Sequence, residues 1–271
     1  MLKIIKKVLK NILSRDVITK LNLIKSILTN GSKTNNNLSG VLLSPYSIQN
    51  GLITTFTSNF MEDTLFVDSY EIGLKTGALK NHPGDLYWRA YVACWAASKA
   101  KTLEGDFIEC GVNLGFLSRV IVNYVGFNNL DKKFYLVDTF SGFPTETMGE
   151  EQRQYLSAEV ASEYIDCYEE VQATFSEFSN VILVKEKVPN ALPFVKSEKV
   201  SFISLDMNNA DAEIAAAEYF WDKMVSGGVI VLDDYGHPSA FFHRKKFDEF
   251  CTKRNVKVLT LPNGQGLIFK N

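Results

Sequence analysis

The sequence predicts an α/β fold built on a mostly parallel sheet, preceded by a helical extension. Three observations carry this. Short apolar runs alternate with helical stretches from about residue 85 to the end, the pattern of strand, crossover helix and parallel strand. Several of those runs finish on an acid, at Glu109, Asp138, Asp206 and the pair Asp233 and Asp234. The final two runs are joined by the tight turn PNGQG, which makes one strand antiparallel in an otherwise parallel sheet.

The organising stretch is GDFIECGVNLGFLS, residues 105–118. Residues 106–110 supply a first strand, and Gly111 and Gly115 let the backbone turn and leave a ligand-sized gap before a helix reaching about Gly126. A dinucleotide fingerprint would need glycine at 113 and 116, where Asn113 and Phe116 stand. The spacing is instead Glu109-x-Gly111-x-x-x-Gly115-x-x-Ser118. An acid at the end of the first strand suits a cofactor bearing a cationic amino acid, and Ser118 in the first helical turn is placed to donate to that cofactor's carboxylate. S-adenosylmethionine is such a molecule. An ordinary strand, turn and helix is the competing reading.

Ahead of this core, apolar residues recur at helical spacing from residue 1 to 28 with lysines between them. Residues 1–33 hold eight Lys or Arg against one Asp, or +7, which leaves −9 for residues 34–271 of a chain whose net charge is −2. Such basic amphipathic helices pack on the body or on another subunit of a homo-oligomer, or attach peripherally to an anionic membrane. Residues 29–40, TNGSKTNNNLSG, form a polar linker. Residues 41–82 show no clean period and read as a cap or lid, so the expected division is 1–82 and 83–271.

Residues 85–103 form a strong helix that packs on the sheet. Residues 134–138 are a second strand, whose terminal Asp138 stands where a ribose diol is gripped. Eight Glu or Asp lie between Glu146 and Glu170 against the single Arg153, with tyrosines interleaved. This run is a solvated helical face or a wall of the active site. Strands follow at 180–186 and 199–206, an alanine-rich helix at 210–223, and a fifth strand inside SGGVIVLDDYG. A helix at 239–254 precedes the last strands, 256–261 and 266–270.

Composition narrows the function further. Hydrophobic content of 46% with 22% charged residues is that of a globular protein. A net charge of −2 does not favour nucleic acid as a partner. Four scattered cysteines without a CxxC pair, together with the lack of a signal peptide or a membrane span, point to a cytoplasmic protein with reduced thiols.

Carboxylates converging at strand ends repel one another unless a cation lies among them. Three oxygen ligands, Asp206, Asp233 and Asp234, suit Mg²⁺ or another divalent ion. The alternative is that Asp233 or Asp234 caps the following helix. His237, three residues past Asp234, is one candidate base, with Asp206 and a metal-bound water as the others; a lone loop histidine is equally an ordinary surface residue.

Taken together, ECGVNLGFLS, FYLVDTFSGFP, SLDMNNADAE, GGVIVLDDYG and LPNGQGLIFK resemble the macrocin and mycinamicin O-methyltransferase family across residues 83–271. The resemblance implies a Rossmann-like class I methyltransferase fold of seven strands with the last antiparallel. It also implies transfer of a methyl group from S-adenosylmethionine to a sugar hydroxyl with Mg²⁺. It places metal ligands at Asp206, Asp233 and Asp234, and cofactor contacts at Glu109, Gly111, Gly115, Ser118 and Asp138; Asn113, inside the same turn, is a further candidate cofactor contact. The family often has a second acid where Asn208 stands and a glycine where Glu186 stands. The expected acceptor is a hydroxyl of a sugar, a sugar-bearing natural product or a glycan. The rival readings are a metal-independent N- or C-methyltransferase and a non-catalytic S-adenosylmethionine-binding subunit.

Overall fold

The computed structural model describes residues 47–49, 52–54, 57–80, 82, 85–142, 144, 148, 164–237 and 241–271. The amphipathic stretch 1–28, the linker 29–40 and most of the acidic run before Tyr164 lie outside the described residues.

The central sheet forms because strands with apolar residues on both faces are covered on both sides by helices. Its strands are β3 (Asp106–Cys110), β4 (Phe134–Asp138), β5 (Val181–Lys185), β6 (Val200–Leu205), β7 (Met224–Leu232), β8 (Leu259–Thr260) and β9 (Gly266–Phe269). They are arranged in the order β5-β4-β3-β6-β7-β9-β8. The pairs of β3 with β4 and β6, of β4 with β5, and of β6 with β7 are parallel, whereas β9 runs antiparallel to both β7 and β8. β9 is therefore the one reversed strand, as the PNGQG turn predicts. β8 is two residues long, shorter than the expected run 256–261.

The order reverses between β3 and β6. The chain moves outward from β3 through β4 to β5, then crosses back to β6. At such a switch point the loops after adjacent strands diverge and leave a crevice. The glycine turn after β3 and the acids after β6 and β7 therefore share one edge.

Two layers of helices enclose the sheet. On one side lie α1 (Thr64–Leu74), α2 (Tyr87–Ala100) and α3 (Phe116–Val125), with Phe107, Phe134, Leu136, Phe202, Val229 and Val231 facing them. Strand neighbours of opposite parity, Ile108, Tyr135, Ile203 and Ile230, face α5 (Ala210–Trp221) and α6 (Phe241–Arg254). Ala90, Ala93 and Ala97 put small side chains on the buried face of α2, so it lies close to the strands. Phe107, Phe134 and Phe202 are fully buried, and each contributes about 1.5–3 kcal/mol through removal from water.

Local chemistry fixes the ends. Asp63 caps α1 by accepting from the amides of Leu65 and Phe66. Asn209 caps α5 by accepting from Asp211 and Ala212. The amide of Leu86, just before α2, donates to the Tyr70 hydroxyl of α1 at 2.9 Å. α4 (Tyr168–Phe175) follows the acidic run, and a short hairpin, β1 (Ser47–Gln49) and β2 (Leu52–Thr54), precedes α1. The unit carrying the sheet spans Pro45–Asn271. All four cysteines are buried and free. Among the described residues no helix is long and apolar enough to cross a membrane.

Candidate active site

The glycine turn is shaped by what it must pass. Gly111 has φ +88°, and a Cβ there would meet the backbone oxygen of Asp206 at 1.9 Å. Gly115 has φ +81° and faces the Phe175 ring of α4, which a Cβ would approach to 2.8 Å. Asn113 also adopts a left-handed conformation, φ 49°, which asparagine tolerates better than other side chains. The segment around α4 thus roofs the turn, and the Cys167 thiol lies 3.5 Å from the Asn113 carbonyl oxygen.

Glu109 is 2% exposed, and its Oε2 accepts from the Ser118 hydroxyl at 2.7 Å. Burial pushes its pKa up to about 8. The Ser118 hydrogen bond opposes the shift, and the charges of Asp138 and Asp233 add to it. Ser118 therefore faces Glu109 rather than the gap above the turn. Asp138 has both carboxylate oxygens engaged. Oδ2 accepts from the amides of Val112 (2.6 Å) and Asn113 (2.9 Å), and Oδ1 accepts from Phe140 (2.9 Å) and the Thr139 hydroxyl (3.2 Å). It holds the turn closed as well as ending β4. Beyond it, a cavity of about 460 Å³ opens over β4 and β5, lined by Thr139, Ser141, Gly142, Lys185, Glu186 and Lys187.

Asp206 follows β6, and Asp233 and Asp234 follow β7. The amide of Asp233 donates to the carbonyl of Leu205, and that of Asp206 to the carbonyl of Cys110, so the three strand ends are in register. Burial raises the pKa of Asp206 well above the carboxylate range, and the neighbouring charges of Asp233 and Asp234 raise it further. The Asp206 Oδ1 accepts from the Asn208 amide at 3.4 Å, and the same amide donates to the Tyr164 hydroxyl at 3.2 Å. Asn208 sits at φ 51°, again a position asparagine accommodates. His237 is exposed, and its backbone amide donates to the Asp234 carbonyl at 3.0 Å.

The structure thus brings Glu109, Gly111, Asn113, Gly115, Ser118 and Asp138 together around one turn, and Asp206, Asp233, Asp234 and His237 around the adjacent strand ends. Sequence reasoning missed Arg89. This buried residue of α2 reaches across to form ion pairs with Asp233 and, at 3.7 Å, Asp234. Its signal was a lone cation inside the apolar run YWRAYVACWA. Gln265 was also missed, because its turn was read only as a strand connection. It donates to Asp233 Oδ1 at 3.0 Å. Among the described residues, no three His, Cys, Asp or Glu side chains form a ready-made metal cluster. The donor chemistry nevertheless suits a divalent cation. Three carboxyl groups at adjacent, largely covered strand ends face one guanidinium, and a divalent cation among them would relieve the burial and mutual repulsion that raise the Asp206 pKa.

Comparison with known proteins agrees with this arrangement. Among solved structures, the O-methyltransferase NovP superposes with a TM-score of 0.59 at 18% identity, covering 68% of this chain and 79% of that one. The calicheamicin methyltransferase CalS11 gives 0.54 at 13% identity, covering 74% and 92%. A protein described as a putative caffeoyl-CoA O-methyltransferase, from Staphylococcus aureus, gives 0.52 at 11% identity, covering 79% and 98%. At these identities the likeness concerns the fold. No curated protein is significantly similar in sequence. The family of macrocin O-methyltransferase (TylF) matches residues 88–260, more than half of the chain. This stretch runs from α2 through the glycine turn and all three strand-end acids, and the protein therefore belongs to that family and is an S-adenosylmethionine-dependent O-methyltransferase.

Proposed function

We propose that the enzyme methylates a hydroxyl of a sugar, a sugar-containing natural product or a glycan, with Mg²⁺ or another divalent cation held at the acids after β6 and β7. The observation that carries this reading is the convergence of three largely covered carboxyl groups, Asp206, Asp233 and Asp234, on adjacent strand ends with one guanidinium, Arg89, among them, directly beside the turn that Gly111 makes against Asp206. Kinship with the macrocin O-methyltransferase family, and the likeness of fold to a calicheamicin methyltransferase, support the acceptor class.

S-adenosylmethionine supplies a methyl group on a sulfonium that is already a good leaving group. The chain has to orient this cofactor, hold the acceptor oxygen in line and remove its proton. Glu109 presents a buried carboxylate to the cofactor's ammonium, and Ser118 steadies that carboxylate. Gly111, Asn113 and Gly115 shape the turn beneath the cofactor, and Asp138 braces that turn at the strand end where the ribose would lie, exchanging the Thr139 hydroxyl on Oδ1 for a ribose hydroxyl when the cofactor binds. A cation at the acids would supply Lewis acidity to the acceptor oxygen. His237, on the loop after β7, and Asp206, at the end of β6, are the groups placed to take up the acceptor's proton.

The test is methyl transfer to sugar and glycoside acceptors with and without excess chelator. Activity should vanish with the chelator and return with Mg²⁺. Asp206→Asn should lower kcat about 100-fold or more, the scale of one lost transition-state electrostatic contact. Its affinity for the demethylated cofactor should stay within about threefold, since the cofactor is held on the other strand ends. Full activity in chelator points to metal-independent N- or C-methylation. Cofactor binding without turnover on any acceptor points to a non-catalytic subunit.

A further inference from the structure

The peptide between Asp206 and Met207 is held on both sides. Its carbonyl oxygen packs over Gly111, where a Cβ would come within 1.9 Å, and its N–H donates to Glu213 Oε1 at 3.0 Å. The Asp206 amide is fixed as well, donating to the Cys110 carbonyl at 2.9 Å. Fixing the peptide planes on either side of a residue fixes its two soft dihedrals, and with them the direction in which its side chain leaves the backbone. Glu213 therefore helps to set where the Asp206 carboxyl group points.

Glu213 lies in the first turn of α5 and His243 in the first turn of α6, and each is 3% exposed. His243 Nε2 stands 3.3 Å from the same Oε1 that receives the Met207 amide. α6 follows Asp233, Asp234 and His237 in the chain, as α5 follows Asp206. The pair thus links the segment after one acid to the segment after the other two. Holding the helices together does not call for it. Asn209 already caps α5, Lys246 and Asp211 join α5 and α6 at 2.7 Å nearer the surface, and Phe247 and Phe250 supply apolar contact. A buried acid and imidazole are a poor source of stability, because taking both from water offsets their attraction and apolar residues of similar volume do as well.

We propose that Glu213 and His243 are positioning residues of the methyl-transfer site. Through the Met207 amide they aim the Asp206 carboxyl group at Asp233 and Asp234, and through α6 they keep the two acid-bearing loops together. This rests on the cation reading given above, in which all three acids are ligands.

The test uses the full-length protein and three readouts: Mn²⁺ affinity by calorimetry and electron paramagnetic resonance, affinity for the demethylated cofactor, and melting temperature. Glu213→Ala strands the Met207 amide and should weaken Mn²⁺ by about 10- to 100-fold, the scale for a residue that supports a ligand. Its affinity for the demethylated cofactor should stay within about threefold, since the cofactor is held on the other strand ends. Glu213→Gln keeps an acceptor oxygen of the same reach and should bind Mn²⁺ within about threefold of the wild type. His243→Leu removes the group that faces Glu213 and should weaken Mn²⁺ by about tenfold or more. Phe250→Ala loosens the same pair of helices beside Trp221, at the end of α5 away from Met207, and should lower the melting temperature while leaving Mn²⁺ affinity unchanged. If Glu213→Ala does not fold, Glu213→Asp, whose oxygens fall short of the amide, takes its place with the same expectation. Wild-type Mn²⁺ affinity in the Ala or Asp variant or in His243→Leu, or a Gln variant as weak as these, overturns the inference. So does a loss of Mn²⁺ binding in Phe250→Ala equal to theirs, which would mark the pair as structural only. A wild type that binds no Mn²⁺ removes the cation reading and this inference with it, whereas a wild type that binds Mn²⁺ beside unaffected variants removes this inference alone.

Discussion

Gly111 and Asp206 touch through their backbones: a Cβ on the glycine would lie 1.9 Å from the acid's carbonyl oxygen. The glycine turn after β3 and the acid after β6 are therefore one junction, formed where β3 and β6 end side by side.

Gly111→Ala should break that junction. The left-handed φ costs a non-glycine residue about 1–3 kcal/mol, and relieving the overlap requires the two strand ends to part. We expect a melting temperature lower by at least about 5 °C, from roughly 2–4 °C per kcal/mol in a chain of this size, together with loss of cofactor binding. Calorimetric titration with the demethylated cofactor gives the second readout. Unchanged melting and affinity would show that the junction yields without cost.

Glu109 should link cofactor affinity to pH. Its folded pKa of about 8 lies above the 4.5 of a free glutamate, so the folded protein without cofactor binds a proton that the unfolded chain has lost between those limits. The associated stability is complete below about 4.5 and declines as pH rises to about 8. An ammonium beside Glu109 favours the ionised form, so cofactor binding should release a proton and tighten as pH rises from 6 to 8. Glu109→Gln should flatten that dependence. A profile that keeps its slope in the variant assigns the proton elsewhere.

Asp138→Ala should lose more than a ribose contact. It strands the amides of Val112 and Asn113, and each buried unpaired donor costs about 1–3 kcal/mol. Cofactor affinity should drop by about 100-fold or more, accompanied by a lower melting temperature. Asp138→Asn keeps one acceptor oxygen and should fall between. Equal affinities for the two variants would mean that the turn does not depend on this side chain.

The basic stretch 1–28 should be separable from catalysis. A protein lacking residues 1–30 should bind the cofactor as the full chain does, while losing either association with anionic vesicles or its oligomeric state, as read by co-sedimentation and light scattering. Loss of cofactor binding by a folded truncated protein would place that stretch in the site.

Much of the fold was legible because its signals are local. Apolar runs of five or six residues, Gly111 and Gly115 at the turn, Asn209 at the start of α5 and the tight PNGQG connection each act within a few positions of themselves. The run 256–261 was misjudged in length because β8 is held only by its pairing with β9, two residues deep, and that contact leaves little trace in its own sequence. The sequence placed Ser118 to donate to a cofactor carboxylate; in the structure its hydroxyl donates to Glu109, on the strand just before its own helix, a contact made by the turn between them.

By itself, then, the sequence determined the alternation of strand and helix, the reversed last strand, and the acids at four strand ends, because hydrophobic period and turn chemistry depend on near neighbours. Only the tertiary structure decided how those acids are used. Arg89 and Asp233 are 144 positions apart and Gln265 and Asp233 are 32 apart. A hydrogen bond between such residues depends on how α2 and β9 pack on the sheet, and no spacing along the chain encodes it. Burial works the same way: Glu109 is an ordinary acid as a letter, and becomes a group that keeps its proton to about pH 8 only when β4, β6 and α3 close around it.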